Sequence, residues 1–174
     1  MGQIGNPERV FLFAGIISRD EGIYDETKRR LRTQWGEILR ETPRRPFSYT
    51  DYYRKEMGEG LARSFLIMDC LMDPEDLAAI KVETNRIEAS FAEKGGRRIN
   101  IDPGYLGLAK IVLASTKDFS HRICLGRGIY GDLTLRFVKG TFQPLEWTYP
   151  DYRETQTIVF FNEARGVLLG RLKR

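Results

Sequence analysis

Residues 9–18, RVFLFAGIIS, form a nearly unbroken apolar run. A strand with water on one face alternates apolar and polar side chains; a continuous run needs cover on both faces. This stretch therefore predicts a central strand, and the rest of the chain must supply its cover. The 174 residues suffice for one domain that buries roughly two-thirds of its unfolded surface.

The remaining elements follow from local signals. Asp25 caps a predicted helix running to about Arg40, with Leu31, Trp35, Ile38 and Leu39 at helical spacing, and Thr42-Pro43 ends it. Phe47 to Tyr53 reads as a short strand, Gly58-Glu59-Gly60 as a turn and Ala62 to Cys70 as a second central strand. In DPEDL, Asp73 is the expected N-cap and Pro74 the first helical residue. Leu77, Ile80, Thr84, Ile87 and Phe91 carry the helix to Gly95-Gly96, and Arg98 to Asp102 alternates as a strand that Pro103-Gly104 turns.

That order gives an α+β fold: a split βαβ (ferredoxin-like) sheet with two helices on one face, over residues 1–104. Residues 105–147 extend it. Leu106 to Ala114 is apolar enough to be a buried helix or a buried strand. His121 to Leu125, Tyr130 to Val138 and Phe142 to Trp147 form a β-meander with glycine turns. Residues 148–174 hold a final helix, with Ile158, Phe161, Arg165, Leu168 and Leu172 along one line. No repeat or linker divides the chain, so a single domain over 1–174 is expected.

Composition narrows the function classes. No apolar run approaches the ~20 residues that cross a bilayer, and MGQIGNPERV lacks the features of a signal peptide. A cytoplasmic protein with no membrane partner is expected. Cys70 and Cys124 lie in apolar strand-like runs and read as buried, reduced thiols. The lone histidine, His121, excludes a multi-histidine metal site. A net charge of +4 permits an anionic partner.

LGRGIYGDL places Gly126, Gly128 and Gly131 at G-x-G-x-x-G spacing. A dinucleotide fold needs a helix after these glycines, whereas DLTLRF alternates as a strand. The stretch is similar to the phosphate-covering hairpin of protein kinases over nine residues only, without the lysine or the H-R-D and D-F-G segments. What remains is an anion-binding hairpin or a plain glycine turn. KIVLASTKD resembles the guanine-recognition element of GTPases, but Lys117 and Asp118 are adjacent and no G-x-x-x-x-G-K-[ST] exists.

Four stretches concentrate polar groups and tyrosine at predicted strand ends: TDYYRKEMG (50–58), NIDPGY (100–105), STKDFSHR (115–122) and EWTYPDYR (146–153). They supply three readings. In the first, a phosphorylated ligand (a nucleotide or RNA) is held by the Gly126, Gly128 and Gly131 backbone and Arg127, with Lys117, His121 and Arg122 adding charge and Tyr105 or Tyr130 stacking. The second is a metal-assisted hydrolase or transferase, in which Asp51, Asp102 and Asp118 hold Mg²⁺ or a similar divalent cation and His121 is the general base; Asp102 and Asp118 are also its candidate acid/base carboxylates. The third is a non-catalytic interaction module whose meander or final helix meets a partner, a homo-oligomer included.

FSYTDYYRKEMG, NIDPGYLGLAKIVLASTKDFSHRI, GIYGDLTLRF and EWTYPDYR together resemble an uncharacterised prokaryotic family catalogued as a domain of unknown function. The resemblance spans nearly the whole chain. It implies a small cytoplasmic protein, sometimes labelled GTP-binding, and brings no catalytic residues with it.

Overall fold

The computed structural model describes residues 2–50, 52–93 and 96–173. They form an α+β fold around a nine-stranded open sheet in which every pairing is antiparallel. In chain order the elements are β1 (Val10–Ser18), α1 (Glu21–Trp35), β2 (Ile38–Glu41), β3 (Arg45–Pro46), α2 (Arg54–Met57), β4 (Ala62–Met72), a 3₁₀ turn (Pro74–Asp76), α3 (Leu77–Ser90) and β5 (Ile99–Leu106). There follow β6 (Lys110–Ser115), β7 (Arg122–Gly126), β8 (Ile129–Val138), β9 (Thr141–Pro144), α4 (Pro150–Arg153) and α5 (Thr155–Leu172). The strand order is β2-β4-β1-β5-β6-β8-β7, with β3 on β4 and β9 on β8.

All nine residues of β1 are buried, as a doubly covered strand requires. Val10, Leu12, Ala14 and Ile16 face α1 and α3 through Tyr24, Leu31, Leu77, Ile80 and Ile87. Phe11 and Phe13 face α5, where Phe160, Phe161, Ala164 and Leu168 complete an aromatic-rich core with Phe65 and Tyr152. The sheet is thus sandwiched between two helical layers. No helix of the described residues is long and apolar enough to cross a membrane.

Several boundaries differ from expectation, each for a local reason. Asp20, not Asp25, caps α1, accepting the Ile23 N–H at 2.9 Å. Gly36, at φ 85°, then ends the helix and frees Ile38–Glu41 to pair as β2. The described residues of Phe47 to Tyr53 form no strand; Phe47 and Tyr53 pack onto Ile17, Met57 and Leu61 in a small third cluster. Asp73 makes no capping hydrogen bond but pairs with Arg9, and a 3₁₀ turn precedes α3. That helix ends at Ser90, and Gly95, the expected stop, lies outside the described residues.

Pro103-Gly104 is no turn, because β5 runs through both. Gly104 is there for close packing: a β-carbon on it would stand 2.5 Å from the Phe13 ring and 2.5 Å from the Val112 carbonyl oxygen. The apolar segment 106–114 resolves into the end of β5 and most of β6. The final helix is interrupted at Glu154, whose extended backbone separates α4 from α5. Both cysteines are free, but Cys70 is half-buried and Cys124 is exposed on the outermost strand β7, contrary to the expectation of two buried thiols.

Candidate functional site

A gap in the sheet lies beside an aromatic-walled cavity. β5 pairs with β1 from Ile99 to Leu106, yet with β6 only from Gly104 to Leu106. Before that point its free edge is satisfied by α3. Glu88 Oε1 accepts the Ile101 N–H at 2.7 Å, and Lys81 Nζ donates to the Ile101 carbonyl at 2.8 Å. Alternate residues of a strand direct their N–H groups to the same edge, and the next such residue is Pro103, which has no N–H to strand. At Pro103 the opening therefore strands no donor.

On the α5 side, beyond this fork, lies a cavity of about 430 Å³. Its walls come from all four polar segments: Thr50, Tyr52 and Tyr53; Asp102; Ser115, Lys117, Phe119 and Arg122; and Tyr149 to Tyr152. Arg63, Asp132, Ile17, Phe47 and Tyr49 are also among the lining residues.

Arg63 forms one half of the floor. Its side chain is 7% exposed. Nη1 donates to Asp102 Oδ2 at 3.1 Å and Nη2 to the Tyr152 hydroxyl at 3.2 Å. Nε lies 3.2 Å from Asp151 Oδ2 as an ion pair, but is buried without hydrogen-bond geometry to any acceptor among the described residues. The guanidinium packs against the rings of Phe65, Tyr152 and Phe47. Burial works against ionisation of Asp102, but Arg63, Lys81 and the Asn100 amide outweigh it and hold the carboxyl below its usual range. For Asp151, burial wins over the same guanidinium and raises the pKa.

Arg122 organises the other half. Its Nε donates to Asp132 Oδ2 at 2.9 Å, Nη1 to Ser115 Oγ and the Lys117 carbonyl at 2.9 Å each, and Nη2 to the Tyr149 hydroxyl at 2.7 Å. This buried guanidinium is consumed in holding the β6–β7 loop against Tyr149. The loop presents Lys117, whose Nζ sits 4.0 Å from the centre of the Tyr52 ring. Its ammonium holds the Tyr52 phenol below the usual range.

Beneath the fork, Glu88 Oε1 is 3.8 Å from Lys81 Nζ, and Glu88 Oε2 is 3.8 Å from Arg97 Nη1. Burial dominates there and pushes the Glu88 carboxyl up to about 7, against the pull of Lys81. A second hollow, of about 460 Å³ between α1 and α3, is lined mainly by charges already paired with one another, such as Glu26 with Arg29 and Arg30. It offers no aromatic wall.

A family model for a domain of unknown function, DUF4416, matches residues 8–167, from just before β1 into α5. The chain belongs to this family. The resemblance to an uncharacterised family is thereby borne out. No curated protein and no solved structure matches the chain.

In this DUF4416 chain, Asp102, Lys117 and Arg122, of the residues given roles in the three readings, line the cavity, together with Tyr52, Tyr53, Tyr149, Asp151 and Tyr152 of the quoted segments. His121 stands beside it, stacked between Phe119 at 5.9 Å and Trp147 at 5.0 Å, with Nε2 3.3 Å from Asp132 Oδ2. Asp118 is exposed and outside the lining. Tyr105 packs toward the α1–α3 layer, and Tyr130 lies opposite Ser115 without lining the cavity. Gly126, Arg127 and Gly128, at φ 95°, 57° and 73°, form the exposed tip of the β7–β8 hairpin. This succession of positive φ is what a tight two-residue hairpin demands. Gly131 is a strand residue covered by Leu125. None of these four lines the cavity.

Asp51 lies outside the described residues. Among the described residues, no group of three or more His, Cys, Asp or Glu side chains could hold a metal ion. Sequence reasoning missed Arg63 and Asp132. Arg63 left a signal: a charge one residue into the apolar strand ARSFLIM needs a buried partner. Asp132 left a weaker one, sharing its strand face with Thr134.

Proposed function

We propose that the cavity binds a phosphorylated, ring-bearing ligand of nucleotide size, either a free nucleotide or the end of an RNA strand, in a cytoplasmic protein. The convergence of four polar segments on one cavity, with Tyr52, Tyr53, Phe119, Tyr149 and Tyr152 among its lining residues, carries this reading. Its volume of about 430 Å³ falls within the roughly 300–1,000 Å³ usual for small-molecule sites. Aromatic rings from separate loops offer stacking faces, and Lys117 at the rim offers a cation for phosphate. The two free thiols fit a reducing compartment. The strand order β2-β4-β1-β5, with α1 and α3 on one face, supports reading the N-terminal half as a ferredoxin-like split βαβ unit.

On this reading Lys117, not the glycine hairpin, meets the phosphate. Arg122 acts through the loop it holds. Titration of the pure protein with mononucleotides and short single-stranded RNA, at two salt concentrations, tests it. Binding should weaken with salt, weaken about tenfold in Lys117→Ala, and be unchanged in Arg127→Ala. Absence of binding by every nucleotide and RNA probe, or binding lost in Arg127→Ala and kept in Lys117→Ala, overturns it.

A further inference from the structure

The two guanidinium groups at the cavity are unequally loaded with carboxylate. Arg63 faces two, Asp102 at 3.1 Å and Asp151 at 3.2 Å. Arg122 faces Asp132 at 2.9 Å, and that carboxylate is only 2% exposed. Lys117, whose carbonyl accepts from Arg122, forms no ion pair with a carboxylate among the described residues, only its contact with the Tyr52 ring. An anion entering the cavity is therefore repelled at the Arg63 end and drawn to the Arg122 end.

Hydroxyl donors stand at that second end. Ser115 Oγ accepts twice, from Arg122 Nη1 at 2.9 Å and from the Lys117 N–H at 3.1 Å. A serine hydroxyl has two lone pairs and one proton, so its acceptor positions are filled and only the O–H is left to use. The Tyr149 hydroxyl accepts from Arg122 Nη2 at 2.7 Å. Neither O–H donates to any acceptor among the described residues, and both residues line the cavity. The two hydroxyls thus sit on the two terminal nitrogens of one guanidinium. The Arg122 side chain is itself 4% exposed, so its charge is little screened and strengthens both as donors.

We infer that Ser115 and Tyr149 form the phosphate subsite of this cavity: their O–H groups donate to phosphate oxygens, and Lys117 supplies the charge. This rests on the nucleotide reading above and assigns it two further binding residues. Phosphate suits the place because its oxygens are strong acceptors. A ligand group that presents a donor to Ser115 finds both lone pairs already taken, and loses a hydrogen bond there. Arg122, behind the two hydroxyls, polarises them and holds the loop without meeting the ligand.

Adenosine against AMP and cytidine against CMP, titrated calorimetrically on the full chain, isolate the contribution of the phosphate. Each monophosphate should bind about tenfold tighter than its nucleoside or more. Ser115→Ala and Tyr149→Phe should each weaken the monophosphates about fivefold and leave the nucleosides unchanged. Both changes also loosen the hold of Arg122 on the Lys117 loop, so they are repeated in Lys117→Ala. Direct donors keep their effect in that background, whereas groups that only position Lys117 lose it. Monophosphate affinities unchanged in both variants, equal losses for nucleoside and monophosphate, or an effect that vanishes in Lys117→Ala overturn this inference and leave the nucleotide reading standing. Absence of binding by all four compounds, with no RNA bound either, overturns both. If Tyr149→Phe fails to fold, Ser115→Ala decides.

Discussion

The Arg63 guanidinium lies over Gly15 of the neighbouring strand β1, so closely that a β-carbon on Gly15 would stand 2.6 Å from Nη2 and 2.9 Å from Cζ. The charge cannot move aside, because Asp102, Asp151 and Tyr152 fix it from three directions. Phe65, 3.2 Å from the same point, closes the remaining space. Gly15→Ala should therefore destabilise the fold by about 1–3 kcal/mol, as overpacking does. A denaturant midpoint unchanged from wild type would show that the guanidinium is not held as described.

Removing the guanidinium itself should cost more. Arg63→Met leaves the half-buried Asp102 and the buried Asp151 facing each other's site without their common cation. Breaking a buried pair from one side costs about 3–5 kcal/mol. The double variant Arg63→Met/Asp151→Asn should recover part of that loss. Equal stability of the single and double variants, by chemical denaturation, would argue against coupling.

Glu88 gives the stability curve a sign opposite to that of ordinary acid denaturation. Its folded pKa, about 7, lies above the ordinary glutamate value of 4.5, so the native state holds the proton more tightly than the unfolded chain. The associated stability is fully present below the unfolded pKa and is lost as pH rises toward 7 and just beyond. The shift corresponds to roughly 3 kcal/mol. Asp151, also raised, adds in the same sense. The lowered Asp102 works the other way and matters only in acid. Melting temperature should fall between about pH 5 and 8 in wild type and fall less in Glu88→Gln, whose side-chain oxygen can still accept the Ile101 N–H. Parallel curves for the two proteins would refute this.

The two thiols should differ in reactivity. Cys124 is exposed on the edge strand, whereas Cys70 is half-buried and its thiol pKa is raised, chiefly by that burial and then by Asp69. A thiol-specific chromogenic reagent at neutral pH should label Cys124 fast and Cys70 slowly. Cys124→Ser should abolish the fast phase. Two indistinguishable phases would contradict the placement of β7.

The sequence by itself determined what local rules encode. The unbroken run at β1 announced a strand covered on both faces, because water tolerates no such run on an open face. The spacing of Leu77, Ile80, Thr84 and Ile87 announced α3, and all four are buried. It also marked the four polar segments that line the cavity, although NIDPGY proved to lie within β5 and not at a strand end. Tertiary structure decided the rest, because the deciding contacts join residues far apart in the chain. DPG reads as a turn from its neighbours alone; it stays in β5 because Phe13 packs on Gly104 and because α3, through Lys81 and Glu88, replaces the missing strand at Ile101. The glycines of LGRGIYGDL are legible as backbone freedom, yet only the fold places that freedom at an exposed hairpin tip and puts Arg63 in the cavity wall. Backbone preference acts over a few residues, whereas a cavity is made by whichever side chains the sheet brings face to face.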